Sequence, residues 1–126
     1  MNMKQILFST LVILTLVSCG SPETENAPTE KTPTASTNPD YQKGLALVSK
    51  SNCFTCHKID EKLVGPSYRE IANKYASQSD AVALLSDKII KGGSGVWGTV
   101  PMLPHPEVSK EDAESIVKYI LLLKNN

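Results

Sequence analysis

The residues Cys53-Phe54-Thr55-Cys56-His57 set two thiols three positions apart and put an imidazole directly after the second. One helical turn between the cysteines presents both sulfurs on the same side of the backbone. From there they can add across the two vinyl groups of a single porphyrin, with His57 directed beneath the iron as its proximal ligand. This C-x-x-C-H pattern is the attachment sequence of c-type haem. The expectation is one covalent haem c, which cannot dissociate when the iron is reduced or the domain opens locally. Three rival chemistries compete for the same residues. A disulfide between Cys53 and Cys56 closes a very short, strained loop, and a thioredoxin-like redox pair needs a βαβ scaffold. A zinc site needs four ligands, and past the motif only His105 remains among His and Cys.

Such an iron needs a sixth ligand. The chain has three methionines, and Met1 and Met3 fall in a leader expected to be removed, which leaves Met102, 45 residues beyond His57. Pro101 and Pro104 flank it and hold the loop at low entropic cost. In another protein a loop methionine reads as a gap-filler. Beside the motif it reads as the axial ligand. A soft thioether favours ferrous iron, raises the potential and leaves no open position, which suits electron transfer rather than oxygen or peroxide chemistry.

The elements that must position these groups read as helices. Tyr41, Leu45 and Val48 recur at helical spacing after Pro39-Asp40, with Asp40 as the expected N-cap. Tyr68, Ile71 and Tyr75 repeat the interval after Gly65-Pro66-Ser67. A third helix is expected from about Asp80 to Lys91, with Val82, Leu85 and Ile89 inward and a left-handed cap at Gly92-Gly93. A fourth opens at Ser109-Lys110-Glu111-Asp112, close to a capping box, and carries Ile116, Val117, Tyr119 and Ile120 on its apolar face. No stretch alternates long enough to nominate a sheet, so the fold class is all-α. Two long connections, Cys53 to Pro66 and Gly92 to Pro106, are expected to wrap the cofactor. A core this small often needs such a group to hold together.

The chain has 126 residues and 13 basic against 13 acidic side chains, enough for one small domain and without the cationic surplus of a nucleic-acid binder. Lys4 followed by the apolar run Ile6 to Val17 has the form of a secretory signal peptide, residues 1–18. A run of twelve is short against the roughly 20 apolar residues of a membrane span. Leu16-Val17-Ser18-Cys19 resembles the bacterial lipobox, which makes Cys19 the expected lipid-attachment site and the first residue of the mature chain. A plain signal peptide with a chance cysteine is the alternative. Residues 19–39, with four prolines and nothing aliphatic larger than Ala27 and Ala35, read as a disordered tether with a reach of roughly 25 Å. The folded domain is then 40–126, where 11 basic residues face 10 acidic ones.

The segment from Tyr41 to Lys124 resembles the small bacterial monohaem cytochromes c of class I, and Gly92-Gly93-Ser94-Gly95-Val96-Trp97-Gly98-Thr99-Val100-Pro101-Met102 is especially similar to that family's methionine loop. The resemblance implies about four helices around one covalent haem, with Gly44 and Tyr119 at the crossing of the first and last helices. It implies that the Pro66 carbonyl accepts a hydrogen bond from His57, that the Trp97 indole reaches a haem propionate, and that Lys88 supplies a cation to it. His105 departs from the family, where an asparagine that bonds the methionine sulfur commonly stands. Three roles stay open for it: an exposed loop histidine, a partner near Met102, or the sixth ligand itself.

The function expected from these features is single-electron transfer between membrane-associated respiratory redox proteins, a donor and an acceptor. The expected setting is the periplasmic side of a bacterial envelope, with the chain anchored to the membrane by lipid. No enzymatic turnover, small-molecule substrate or nucleic acid is expected. The alternatives are an electron-entry subunit of a reductase or oxidase complex and a haem-based ligand sensor.

Overall fold

The computed structural model describes residues 37–125; Cys19, the leader and most of the tether lie outside them. The four expected helices form. Helix α1 spans Pro39–Lys50, α2 Tyr68–Tyr75, α3 Ala81–Lys91 and α4 Lys110–Leu122, with a short 3-10 turn at Cys53–Thr55. No described helix is long and apolar enough to cross a membrane.

Helix α1 begins one residue before the expected N-cap. The Asn38 side chain, not Asp40, accepts the backbone N–H groups of Asp40 at 2.9 Å and Tyr41 at 3.3 Å. Proline suits the first helical position because its fixed φ is helical and its missing N–H is not needed there. Pro39 therefore starts the helix and leaves Asp40 inside the first turn. Helix α2 carries a full capping box: Ser67 Oγ accepts from Glu70 N–H at 3.1 Å, and a Glu70 carboxylate oxygen accepts from Ser67 N–H at 2.8 Å. Such a cap contributes about 1 kcal/mol. The hydrogen bonds that the Ser67 N–H and hydroxyl donate to it hold the Glu70 carboxyl below the usual range. Its contribution is thus present above the ordinary carboxylate pKa and lost as pH falls through the lowered one. At α4 the Ser109 side chain accepts from Asp112 N–H, but an aspartate at this position does not close the box.

Helix α4 lies at the centre. Ile116, Val117 and Tyr119 are fully buried with Val48 of α1 and Tyr68 and Ala72 of α2, and Ile89 of α3 and Val108 join the same cluster. Val82 and Leu85 are half-buried against it rather than fully inside. Helices α1 and α4 cross where Gly44 meets Tyr119. A Cβ added at Gly44 would collide with Tyr119 Cβ and lie 2.6 Å from the Ser115 carbonyl oxygen. Lys43 and Glu111 pair across the same crossing at 3.3 Å, an exposed contact worth about 0.2–1 kcal/mol.

The structure corrects the expectation of no sheet. Strand β1, Gly93–Gly95, pairs antiparallel with β2, Gly98–Met102, with Gly93 opposite Met102 and Gly95 opposite Gly98. Most of this ribbon is exposed, so it shows no buried/exposed alternation to read from sequence. Gly92 ends α3 with φ +70° but ψ −162°, which is not the left-handed cap expected of it. The extended ψ sends the chain straight into β1, and a Cβ here would press on the Met102 carbonyl and Pro104.

Candidate functional site

The 3-10 turn brings the motif together. The amide N–H groups of Cys56 and His57 both donate to the Cys53 carbonyl, at 3.2 and 3.0 Å, so the two thiols follow one tight turn. They are not bridged to each other. Burial pushes the Cys53 thiol above its ordinary pKa, the opposite of the shift that activates a redox cysteine. Among the described residues no three His, Cys, Asp or Glu side chains cluster as a metal site.

His57 is buried, and three neighbours fix its ring. Its Nδ1 lies 2.7 Å from the Pro66 carbonyl, so Nδ1–H donates and Nε2 keeps its lone pair for a metal. Tyr68 stacks on it at 5.5 Å between centroids and 14° between planes. Gly65 lies against its face: a Cβ there would collide with Cε1 and sit 2.9 and 3.0 Å from Nδ1 and Nε2. The loop holding Gly65 and Pro66 is itself fastened. Gly65 N–H donates to the Cys56 carbonyl at 2.9 Å, and Tyr68 and Arg69 N–H groups donate to Lys58 and Ile59. Arg69 pairs with Asp60 and also donates to the Leu123 carbonyl at 2.8 Å, which ties the loop to the end of α4.

Cys53, Cys56, His57, Pro66, Lys88, Trp97 and Met102 all line one cavity of about 620 Å³. Ile71, Leu85, Ile89, Ile116 and Ile120 supply much of its apolar wall. That volume falls within the roughly 300–1,000 Å³ of cofactor and ligand sites. Trp97 leans on Tyr75 at 6.5 Å, and Lys74 Nζ lies 5.5 Å from its ring centroid. The Lys88 ammonium lies beside Gly93 at the start of the ribbon. Met102 ends β2 half-buried against the core.

These residues fit a porphyrin. Two thiols lie on one turn, an oriented imidazole and a thioether line the same cavity, and a glycine leaves room beside the imidazole. The cavity also includes Tyr68, whose hydroxyl, like that of Tyr119, is buried with no hydrogen-bond partner among the described residues. Burial holds the Tyr68 phenol far above its ordinary pKa and pushes Tyr119 up to about 12, so both rings stay neutral.

Sequence reasoning did not assign Gly65, Tyr68 or Lys74 to the site. Only the Gly-Pro pair hinted at the first; Tyr68 showed only as a helix core position, and Lys74 showed only as a surface charge.

The family model "Cytochrome c" matches residues 41–124. The chain is 47% identical to cytochrome c-552 of Nitrosomonas europaea over 83 residues, covering 66% of this chain and 81% of that protein. It is 43% identical to cytochrome c-551 of Azotobacter vinelandii, covering 66% of this chain and all of that one. Its fold is similar to the crystal structure of wild-type N. europaea cytochrome c552, with a TM-score of 0.62 at 46% identity over 64% of this chain and 99% of the other. It is also similar to the class 1 cytochrome MtoD of Sideroxydans lithotrophicus ES-1, with a TM-score of 0.57 at 30% identity over 65% and 94%.

Proposed function

The chain belongs to the cytochrome c family, an electron carrier with one covalent c-type haem, and from that premise we propose that it shuttles single electrons through iron held by His57 and Met102. The observation that carries this reading is the shared cavity of Cys53, Cys56, His57 and Met102, with the His57 ring fixed by Pro66. When bound, the haem supplies an iron that accepts and releases one electron. Everything else is the work of the chain. Cys53 and Cys56 would hold the macrocycle through thioether bonds, and the Pro66 carbonyl fixes the His57 ring through Nδ1 so that Nε2 would be left to bind the iron. Met102, on the wall of the same cavity, would supply the second protein ligand to the iron and keep other ligands out. Apolar walls exclude water, which limits reorganisation when the charge on the iron changes. Trp97 and Lys88, which line the same cavity, would hold the propionates by hydrogen bond and charge.

The finer setting is also part of the proposal. Residues 1–18 are a signal peptide, Cys19 carries the lipid, residues 20–39 tether the domain 40–126, and the whole sits on the periplasmic face of a membrane. Three acyl chains at about 0.8 kcal/mol per buried methylene anchor it firmly. Its donor and acceptor are membrane-associated redox proteins.

Two measurements test these statements. A redox titration of the purified protein with near-infrared spectroscopy is expected to give a single one-electron wave and a sulfur-to-iron charge-transfer band in the ferric form; a ferric spectrum without that band rejects Met102 as ligand. Cys19→Ser is expected to move a still-red protein from the membrane to the soluble fraction, and retention on the membrane rejects the lipid anchor.

A further inference from the structure

His105 lines the same cavity as His57 and Met102. Its backbone is fixed at both ends: its N–H donates to the Ile89 carbonyl in α3 at 3.0 Å, and its carbonyl accepts from Val108 N–H at 3.1 Å. Its side chain is only 27% exposed, and Nδ1 lies 3.1 Å from a Glu107 carboxylate oxygen. A carboxylate oxygen can only accept, so the bridging proton belongs to Nδ1, and in the neutral ring the lone pair is on Nε2. This is the arrangement typical of metal-bound histidines, in which one ring nitrogen donates to a carboxylate and the other, made more basic, binds the metal. His105 follows Met102 by three positions in the same loop, and the electron-carrier mechanism gives it no task.

We infer that His105 is a reserve axial ligand: when Met102 leaves the iron, Nε2 of His105 takes the vacated position. The inference rests on the proposed His57/Met102 ligation. The exchange breaks one iron–sulfur bond and forms one iron–nitrogen bond, with no electron transferred and no proton released by a neutral ring. Loss of the thioether therefore leaves the iron closed to small ligands. It becomes a carrier of lower potential, because imidazole favours ferric iron relative to a thioether. Lys88 also lines the cavity, but an ammonium has three donors and no lone pair.

The test uses the haem-loaded protein. Ferric electron paramagnetic resonance and near-infrared spectra are recorded for wild type, Met102→Ala, Met102→Ala/His105→Asn and Met102→Ala/Glu107→Gln, with circular dichroism of each to verify the helical fold. Met102→Ala is expected to lose the sulfur-to-iron band yet remain low-spin with a two-histidine signature. The His105→Asn double variant is expected to turn high-spin and to bind carbon monoxide readily when reduced. Glu107→Gln is expected to give a mixture, because the ring loses its charged anchor. A high-spin Met102→Ala protein overturns the inference, as does a double variant with His105→Asn that folds and stays low-spin. A wild-type spectrum lacking the thioether band instead rejects the Met102 ligation, and the reserve role with it.

Discussion

Replacing Met102 by alanine lowers the midpoint potential of the purified protein by roughly 0.2 V, about a quarter of the range over which axial ligands set haem potentials. The direction follows from ligand softness. A thioether stabilises ferrous iron, whereas the imidazole or water that replaces it is a harder donor that stabilises the ferric state. At about 59 mV per tenfold change for one electron, such a drop multiplies the ferric-to-ferrous ratio at fixed potential by more than a thousand. A spectroelectrochemical titration at constant pH measures it. The variant still folds and retains haem, because Cys53 and Cys56 hold the macrocycle independently of the axial bond and Met102 is only half-buried. A potential unchanged within a few tens of millivolts places the ligand elsewhere. The same drop makes oxidation of a given donor more than a thousandfold less favourable, although nothing has unfolded.

The parts of the site that the sequence makes legible are those whose chemistry tolerates one spacing. Two thiols that bond one porphyrin must stand a turn apart, and the 3-10 turn at Cys53–Thr55 supplies that turn. Met102 could be singled out because so few methionines compete with it. Helix periodicity was readable because the apolar residues of α2 and α4 face a core: Tyr68 and Tyr75, then Ile116, Val117, Tyr119 and Ile120, are all buried. The glycine-rich ribbon was not readable for the converse reason. Its residues face solvent or the cofactor cavity, so no protein core imposes a pattern on them, and the short antiparallel pairing of Gly93 with Met102 is a tertiary fact. The α1 cap shifted because Pro39 competes with Asp40, and a proline at the first helical position outweighs an acidic residue that serves equally well inside the first turn. Contacts between distant segments stayed largely hidden, and the crossing of Gly44 with Tyr119 was legible only through the family resemblance. Nothing near Lys74 in the sequence announces Trp97, and nothing near Glu107 states that it holds a histidine lining the cavity of His57.

Gly65→Ala is the variant expected to damage site and stability together. The added methyl would collide with Cε1 of His57 and crowd both ring nitrogens, 2.9 and 3.0 Å away. The ring cannot retreat, because Tyr68 stacks on it and Nδ1 is bound to the carbonyl of Pro66, the next residue in the chain. Nor can the loop, since Gly65 N–H is bonded to Cys56 and Arg69 fastens the following helix to Asp60 and Leu123. Overpacking of this kind costs about 1–3 kcal/mol, and a broken buried hydrogen bond adds about 1–3 kcal/mol more. Denaturant unfolding of the haem-loaded variant should show that loss. Its ferric spectrum should show weakened axial ligation, because a tilted imidazole no longer presents Nε2 to the metal. Gly44→Ala provides the comparison that separates the two effects. Its methyl collides with Tyr119 at the α1–α4 crossing and meets no atom of His57 or its loop, so it should cost the overpacking contribution of about 1–3 kcal/mol while leaving the absorption spectrum of the folded protein unchanged. Equal spectra for the two variants would show that the space beside His57 serves packing alone.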